Sequence, residues 1–210
     1  NIKVWDLRQK AAIATYKGHN KAISALDISP DTKFIVSGCT GGQVKIWDLT
    51  AGKCTYTFDI RSMSANENWF IKDIKFNPAD CCMAIACSDK IIRYYDTSSY
   101  ELINESSPDV HPITNIEFDQ EGESVVAAYS DSIKVWDLEN RKMVSLVSKT
   151  ARPVLDLKWS DATDYTFVLE NVNGSLGLSN ISTSLIMNKN SQLQDYEEEK
   201  RVDISPRVEN

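Results

Sequence analysis

Short runs of alternating apolar and polar residues, separated by turn-forming residues, fill most of the chain. The run at 22–28 is followed by Ser29-Pro30-Asp31, by an apolar run at 34–38, and by Gly41-Gly42 before a third run. Period-two runs bounded by Pro, Asp and Gly are typical of antiparallel β-strands joined by tight turns. No stretch of ten or more residues combines a helical period with caps. The pattern therefore predicts an all-β chain.

The strand pattern repeats along the chain. The dipeptide that closes each unit recurs every 41 to 48 residues, as Trp5-Asp6, Trp47-Asp48, Tyr95-Asp96 and Trp136-Asp137, with an eroded copy at Ser179-Asn180. Gly-His followed by strands and Trp-Asp over about forty residues is the signature of one blade of a WD-repeat β-propeller. We therefore expect about four and a half blades of a six- or seven-bladed ring, with the missing half blade upstream of Asn1.

Two segments depart from the repeat. Residues 59–69 form an insertion before the third unit, which accounts for its longer spacing. After residue 182 the composition becomes polar and includes Glu197-Glu198-Glu199. Few core-forming residues remain there, so we predict that residues 1–181 are the C-terminal part of a propeller and that residues 182–210 are a polar, acidic tail or linker.

The candidate polar chemistry lies at repeat positions. His19, Ser37 and Trp47 occupy the blade positions that commonly form a buried relay of hydrogen bonds, with Gly41 where an Asp is usual. The equivalent positions of later blades hold Asp89, Asp131 and Trp136. His19 and Ser37 also resemble a base and nucleophile, but the interpretation in which they satisfy buried polar atoms is favoured. No catalytic constellation is recognised, and we expect a non-enzymatic protein.

Composition argues against several other functions. The cysteines (Cys39, Cys54, Cys81, Cys82 and Cys87) form no C-x-x-C pair and have no neighbouring His, so neither a zinc site nor any other cofactor is expected. The net charge is −7, which disfavours a broad electrostatic contact with nucleic acid or an anionic membrane. No apolar run reaches the roughly 18 residues of a membrane helix.

Three stretches carry a closer resemblance. Residues 1–10, 16–19 and 44–53 look like the middle of the propeller of the large, non-catalytic WD-repeat subunit of katanin, the microtubule-severing complex. Residues 119–122 and 129–135 are similar to its penultimate blade, and residues from Arg152 to 181 resemble its last blade. The resemblance covers about residues 1–181.

This resemblance implies a scaffold that targets and regulates a separate AAA ATPase at microtubules, the centrosome or the ciliary axoneme. It places the protein in the cytoplasm and the cytoskeleton. In that family the ATPase binds a helical domain far downstream, which no part of this chain matches. Its partners would be the ATPase through that missing region, and microtubules or axonemal proteins directly.

An alternative from a different class is a peptide-reading adaptor, such as the substrate receptor of a ubiquitin ligase. Such a propeller would ring its central opening with Arg and aromatic residues. The interaction candidates on the predicted loops are Arg61, Trp69, Lys90 and Arg152. Trp69 could instead begin the next strand and enter the core, and that alternative is the favoured one.

Overall fold

The computed structural model describes residues 1–60, 70–130, 132–138, 142–149, 154–161, 164–170 and 176–182. Within these ranges the structure consists of antiparallel strands and their turns, without an α-helix. Each sheet is one blade. Blade 1 has β1 (Ile2–Asp6) and β2 (Ala11–Tyr16); blade 2 has β3 (Ile23–Ile28), β4 (Phe34–Cys39), β5 (Gln43–Asp48) and β6 (Lys53–Asp59); blade 3 has β7 (Ile71–Phe76), β8 (Cys82–Cys87), β9 (Ile92–Asp96) and β10 (Leu102–Glu105); blade 4 has β11 (Ile113–Phe118), β12 (Ser124–Tyr129), β13 (Ser132–Asp137) and β14 (Lys142–Lys149); blade 5 has β15 (Val154–Asp161), β16 (Asp164–Glu170) and β17 (Leu176–Ser182).

Within each complete blade the strands are in sequence order, as the repeat predicts. The all-β propeller prediction is confirmed. Residues 183–210 of the proposed tail (182–210) and residues 61–69 of the proposed insertion (59–69) lie outside the described residues. The number of blades in the ring and the division at residue 181 stay predictions.

The Asp that closes each Trp-Asp dipeptide forms a turn. Oδ1 of Asp48 accepts hydrogen bonds from the backbone N–H groups of Thr50 and Ala51, both at 2.7 Å. Oδ1 of Asp96 accepts the equivalent pair at 2.7 Å. Such side-chain bonds to the following backbone favour tight turns. The repeated Asp therefore fixes the turn between the third and fourth strands of a blade.

Neighbouring blades are joined by apolar cores. Ile46, Ile71, Ile74 and Met83 belong to the core between blades 2 and 3 and are at most 2% exposed. Gly38 permits this close approach, because a Cβ at that position would lie 2.6 Å from Cγ2 of Ile71. Trp47, 2% exposed, lies in the core between blades 1 and 2.

Polar contacts also connect the first strands of successive blades. Asp27 on β3 accepts a hydrogen bond from the N–H of Phe76 at 2.8 Å, and Asp73 on β7 accepts one from the N–H of Ile116 at 3.0 Å. Burial raises the pKa of Asp73 to about 6, although the hydrogen bonds that it accepts oppose this shift. Each carboxylate therefore ties its blade to the next one along the chain.

Because the strands alternate in direction, the connecting segments divide between two ends of the blades. The upper end carries the segments 17–22, 40–42, 88–91 and 106–112, and the lower end carries 7–10, 29–33, 49–52, 77–81, 97–101 and 119–123. Of the described candidates, His19, Asp89 and Lys90 lie in upper-end segments, whereas Trp47 and Trp136 lie on β5 and β13 next to the lower ends of those strands.

Candidate functional site

The predicted relay of blade 2 is present in the structure. Oγ of Ser37 lies 2.7 Å from Nε2 of His19 and accepts a hydrogen bond from the indole Nε1 of Trp47 at 2.8 Å. Ser37 is completely buried, so its hydroxyl is inaccessible to a substrate. The three side chains therefore connect the segment 17–22 to β4 and β5, and their role is to stabilise the fold.

The other ring nitrogen of His19 has no hydrogen-bond partner among the described residues. Its Nδ1 is buried and makes no hydrogen bond, and the turn position that usually supplies an Asp holds Gly41. A Cβ at Gly41 would lie 3.0 Å from Cγ of Lys21, so the lysine stem covers this turn. Burial, followed by the positive charge of Lys45, lowers the pKa of His19 to about 4. The imidazole is therefore neutral at pH 7.

Blade 3 departs from the predicted relay. Oδ2 of Asp89 accepts a hydrogen bond from Nη2 of Arg93 at 2.6 Å. Arg93 is 3% exposed, and its Nε also lies 3.6 Å from Oε2 of Glu105. Because β9 carries an arginine where β5 carries Lys45, the turn carboxylate has a cation within reach. Asp89 therefore makes a structural polar contact with Arg93, in a blade where Tyr95 and Ile85 replace the Trp and Ser of the relay.

In blade 4 the indole N–H of the tryptophan has a different hydrogen-bond acceptor. The indole Nε1 of Trp136 donates a hydrogen bond to the hydroxyl of Tyr129 at 2.9 Å. Ala127 occupies the position that Ser37 has in blade 2. The repeat pattern alone therefore predicts no acceptor for the indole N–H of Trp136. Tyr129 lies two residues farther along the same face of β12, a spacing that could have identified it. Asp131, the third predicted residue of this blade, lies outside the described residues.

Of the four interaction candidates, Arg61, Trp69 and Arg152 lie outside the described residues. Lys90 is described: it is half-buried on the turn 88–91 and its Nζ donates a hydrogen bond to the carbonyl of Val110 at 2.5 Å. Lys90 also has a backbone φ of 71°, which is uncommon for a residue with a side chain. Its ammonium group thus helps to hold the adjacent segment, a role that the sequence pattern did not indicate.

The titratable groups do not form a recognisable catalytic or metal centre in the described ranges. No group of three or more His, Cys, Asp or Glu residues there could hold a metal ion. Burial raises the pKa of the Cys87 thiol to about 12 and also raises the pKa of Cys82, so both are unreactive at pH 7. None of the described segments forms a helix that could span a membrane.

Comparison with known proteins supports the propeller and adds a family. The chain is 27% identical over 144 residues to small ribosomal subunit protein RACK1y of Oryza sativa subsp. japonica, a match that covers 65% of this chain and 40% of that protein. It is 25% identical over 187 residues to periodic tryptophan protein 2 of Arabidopsis thaliana, covering 84% of this chain and 20% of that protein. It is 30% identical over 97 residues to eukaryotic translation initiation factor 3 subunit I of Botryotinia fuckeliana, covering 46% and 27%.

The chain therefore spans between a fifth and two fifths of the length of these relatives. None of the three is named for katanin or for microtubules. The family model described as "Nucleolar protein 10-like, N-terminal domain" matches residues 2–163. The chain, part of a WD-repeat β-propeller, belongs to this family of nucleolar protein 10-like N-terminal domains.

Proposed function

We propose that this chain is a non-catalytic scaffold that binds other proteins through the upper end of its blades. One observation carries the proposal: the residues that could do chemistry are used to hold strands and turns in place within blades 2 and 3. The hydroxyl of Ser37 is buried between His19 and Trp47, and the carboxylate of Asp89 is paired with Arg93. Recognition is then left to the segments that connect the strands.

For the setting, we propose an assembly of the ribosomal, translational or nucleolar machinery. The support is the set of names among the relatives: a small ribosomal subunit protein, a subunit of a translation initiation factor, and the nucleolar protein 10-like family. On this proposal the partners are proteins of such particles. Direct contact with their RNA is disfavoured, because the net charge of the chain is −7.

A second candidate setting is the microtubule. Its support is the resemblance of residues 1–10, 16–19, 44–53, 119–122 and 129–135 to the WD-repeat subunit of katanin. In that setting the protein would act in the cytoplasm at microtubules, the centrosome or the axoneme, and a separate ATPase would bind elsewhere in the whole protein. No described residue specifically favours the adaptor of a ubiquitin ligase.

Sedimentation of the full-length protein separates the two settings. Cell extract is divided between a sucrose gradient that resolves ribosomal subunits and a pelleting assay with stabilised microtubules. The proposal predicts that the protein migrates with ribosomal or preribosomal particles and stays in the supernatant when microtubules pellet. Magnesium chelation, which dissociates ribosomal particles, should move it to the top of the gradient. If the protein instead pellets with microtubules and migrates as a free protein in the gradient, the microtubule setting is favoured over the ribosomal one.

A further inference from the structure

A rigid segment presents an exposed apolar side chain at the upper end of blade 3. Val110 is 77% exposed, yet its carbonyl accepts a hydrogen bond from Nζ of Lys90 at 2.5 Å. The backbone N–H of Asp109 donates to the carbonyl of Lys90 at 3.2 Å. Lys90 therefore holds the segment 106–112 from both its side chain and its backbone.

The next blade holds the same segment from the other side. Nζ of Lys134 lies 2.6 Å from Oδ2 of Asp109, and the N–H of His111 donates to Oδ1 of Asp109 at 3.1 Å. Burial raises the pKa of Asp109, but the hydrogen bonds from Lys134 and His111 outweigh it, so the net pKa is lowered and the carboxylate is charged. Pro108 and Pro112 further restrict the backbone. Because the segment is already ordered, a partner that contacts Val110 loses little conformational entropy.

An aromatic residue and a second cation lie beside the turn 88–91, which carries Lys90. The backbones of Phe70 and Ser88 are joined by a hydrogen bond of 2.9 Å, and Oγ of Ser88 accepts another from the N–H of Phe70 at 2.9 Å. This contact places Phe70 next to the turn that carries Lys90. Nζ of Lys72 lies 4.8 Å from the centre of the Phe70 ring. We call Phe70, Lys72, Lys90 and Val110 the blade 3 patch.

The charges of the patch are not balanced by its neighbours. The nearby carboxylates of Asp89 and Asp109 are already paired, with Arg93 and Lys134. Lys72 forms no ion pair with any described residue, and the ammonium group of Lys90 contacts a neutral carbonyl. Among the described residues, the patch therefore combines two apolar side chains with two cations that have no carboxylate partner.

The lower end has the opposite character. Several of its carboxylates have no cationic partner in the part of the chain that the structure describes: Asp48, Asp80, Asp96, Glu101 and Glu121. An acidic ligand is repelled by that end and attracted to the upper one, so the charge distribution orients its approach.

We propose that the blade 3 patch binds an acidic peptide segment of a partner protein, one in which apolar and acidic residues are interspersed. Its apolar side chain packs on Val110 and Phe70, and its carboxylates pair with Lys72 and Lys90. This inference rests on the proposed scaffold function and specifies its ligand. The patch offers two apolar side chains and only two cations. This combination favours such a peptide over a polyphosphate backbone, because binding a polyphosphate requires many clustered cations.

The test uses the full-length protein and a fluorescein-labelled peptide of alternating Glu and Leu residues, with fluorescence anisotropy as the readout. Lys72→Glu should weaken binding about tenfold and reduce its salt dependence, because it removes an attraction and adds a repulsion. Val110→Ser should weaken binding about three- to tenfold through lost apolar contact, with an unchanged salt dependence. Neither side chain holds the fold, and unchanged denaturation midpoints verify this.

Matched controls are Lys33→Glu and Lys53→Glu, which reverse charges at the lower end and should leave the affinity unchanged. A peptide with Lys in place of Glu should not bind. Equal binding to all variants, or no binding to the wild type, overturns the proposal, as does preferential binding of a single-stranded RNA oligonucleotide that Lys72→Glu abolishes. If the peptide fails but the protein still migrates with ribosomal particles, the ligand inference is wrong and the scaffold function stands.

Discussion

Replacing Ser37 with alanine tests whether the relay stabilises blade 2. The hydroxyl accepts the indole hydrogen bond of Trp47 at 2.8 Å and lies 2.7 Å from Nε2 of His19, in a site with no exposed surface. Ser37→Ala leaves a buried indole N–H unsatisfied, which costs about 1–3 kcal/mol, and removes the contact with His19, worth about 1 kcal/mol. We therefore expect the free energy of unfolding to fall by about 2–4 kcal/mol.

The assay is urea unfolding of the full-length protein, followed by tryptophan fluorescence. With a slope of about 1–3 kcal/mol/M the midpoint should fall by about 1 M or more. Ser24→Ala is the matched control, because that hydroxyl is on the same blade but makes only a 3.5 Å contact with the carbonyl of Gly38. A double-mutant cycle of Ser37→Ala with His19→Ala should show a coupling of about 1 kcal/mol. Equal midpoints for Ser37→Ala and Ser24→Ala would refute the relay.

Three further outcomes are expected. Gly122→Ala should destabilise by about 2–3 kcal/mol, because a Cβ would lie 2.1 Å from Oδ1 of Asn77 at a φ of 70°; Gly52→Ala, with φ 66° and an open surrounding, should cost about 1 kcal/mol in the same urea assay. The folded-state pKa of His19, about 4, is below the ordinary histidine value of 6.5, so the unfolded state binds more protons between these values. The stability of the wild type relative to His19→Gln should then decrease as pH falls from 6.5 towards 4; a pH-independent difference would contradict this. Gly41→Asp should supply an acceptor for Nδ1 and raise the pKa of His19, which an NMR titration of the imidazole measures; an unchanged pKa would show that the turn does not reach the ring.

The strands and the blade 2 relay were predictable because both follow from local patterns. Alternation identifies each strand, and His19, Ser37 and Trp47 occupy positions defined by the repeat. The pairing of Asp89 with Arg93 and of Asp109 with Lys134 was not predictable in the same way. These contacts depend on which long side chain reaches across a turn.

The contacts between blades were missed for a related reason. Asp27 and Asp73 accept backbone hydrogen bonds from Phe76 and Ile116, which lie more than forty residues away. The rotation of one blade against the next determines those distances, and periodicity within a blade does not encode it. The sequence did not indicate Val110 as a candidate binding residue either. Its loop is held by the hydrogen bond from Lys90, and this contact is not evident from the sequence.

The central claim, that the upper end of the blades binds the partner, is tested most directly by quantitative affinity purification of the full-length protein with mass spectrometry. The wild type is compared with the upper-end variant Lys72→Glu/Val110→Ser and with the lower-end variant Lys33→Glu/Lys53→Glu, at equal expression and equal thermal stability. The account predicts that the partners recovered with the wild type are lost with the upper-end variant and kept with the lower-end variant. Retention of the same partners by the upper-end variant, or their loss with the lower-end variant alone, would contradict it.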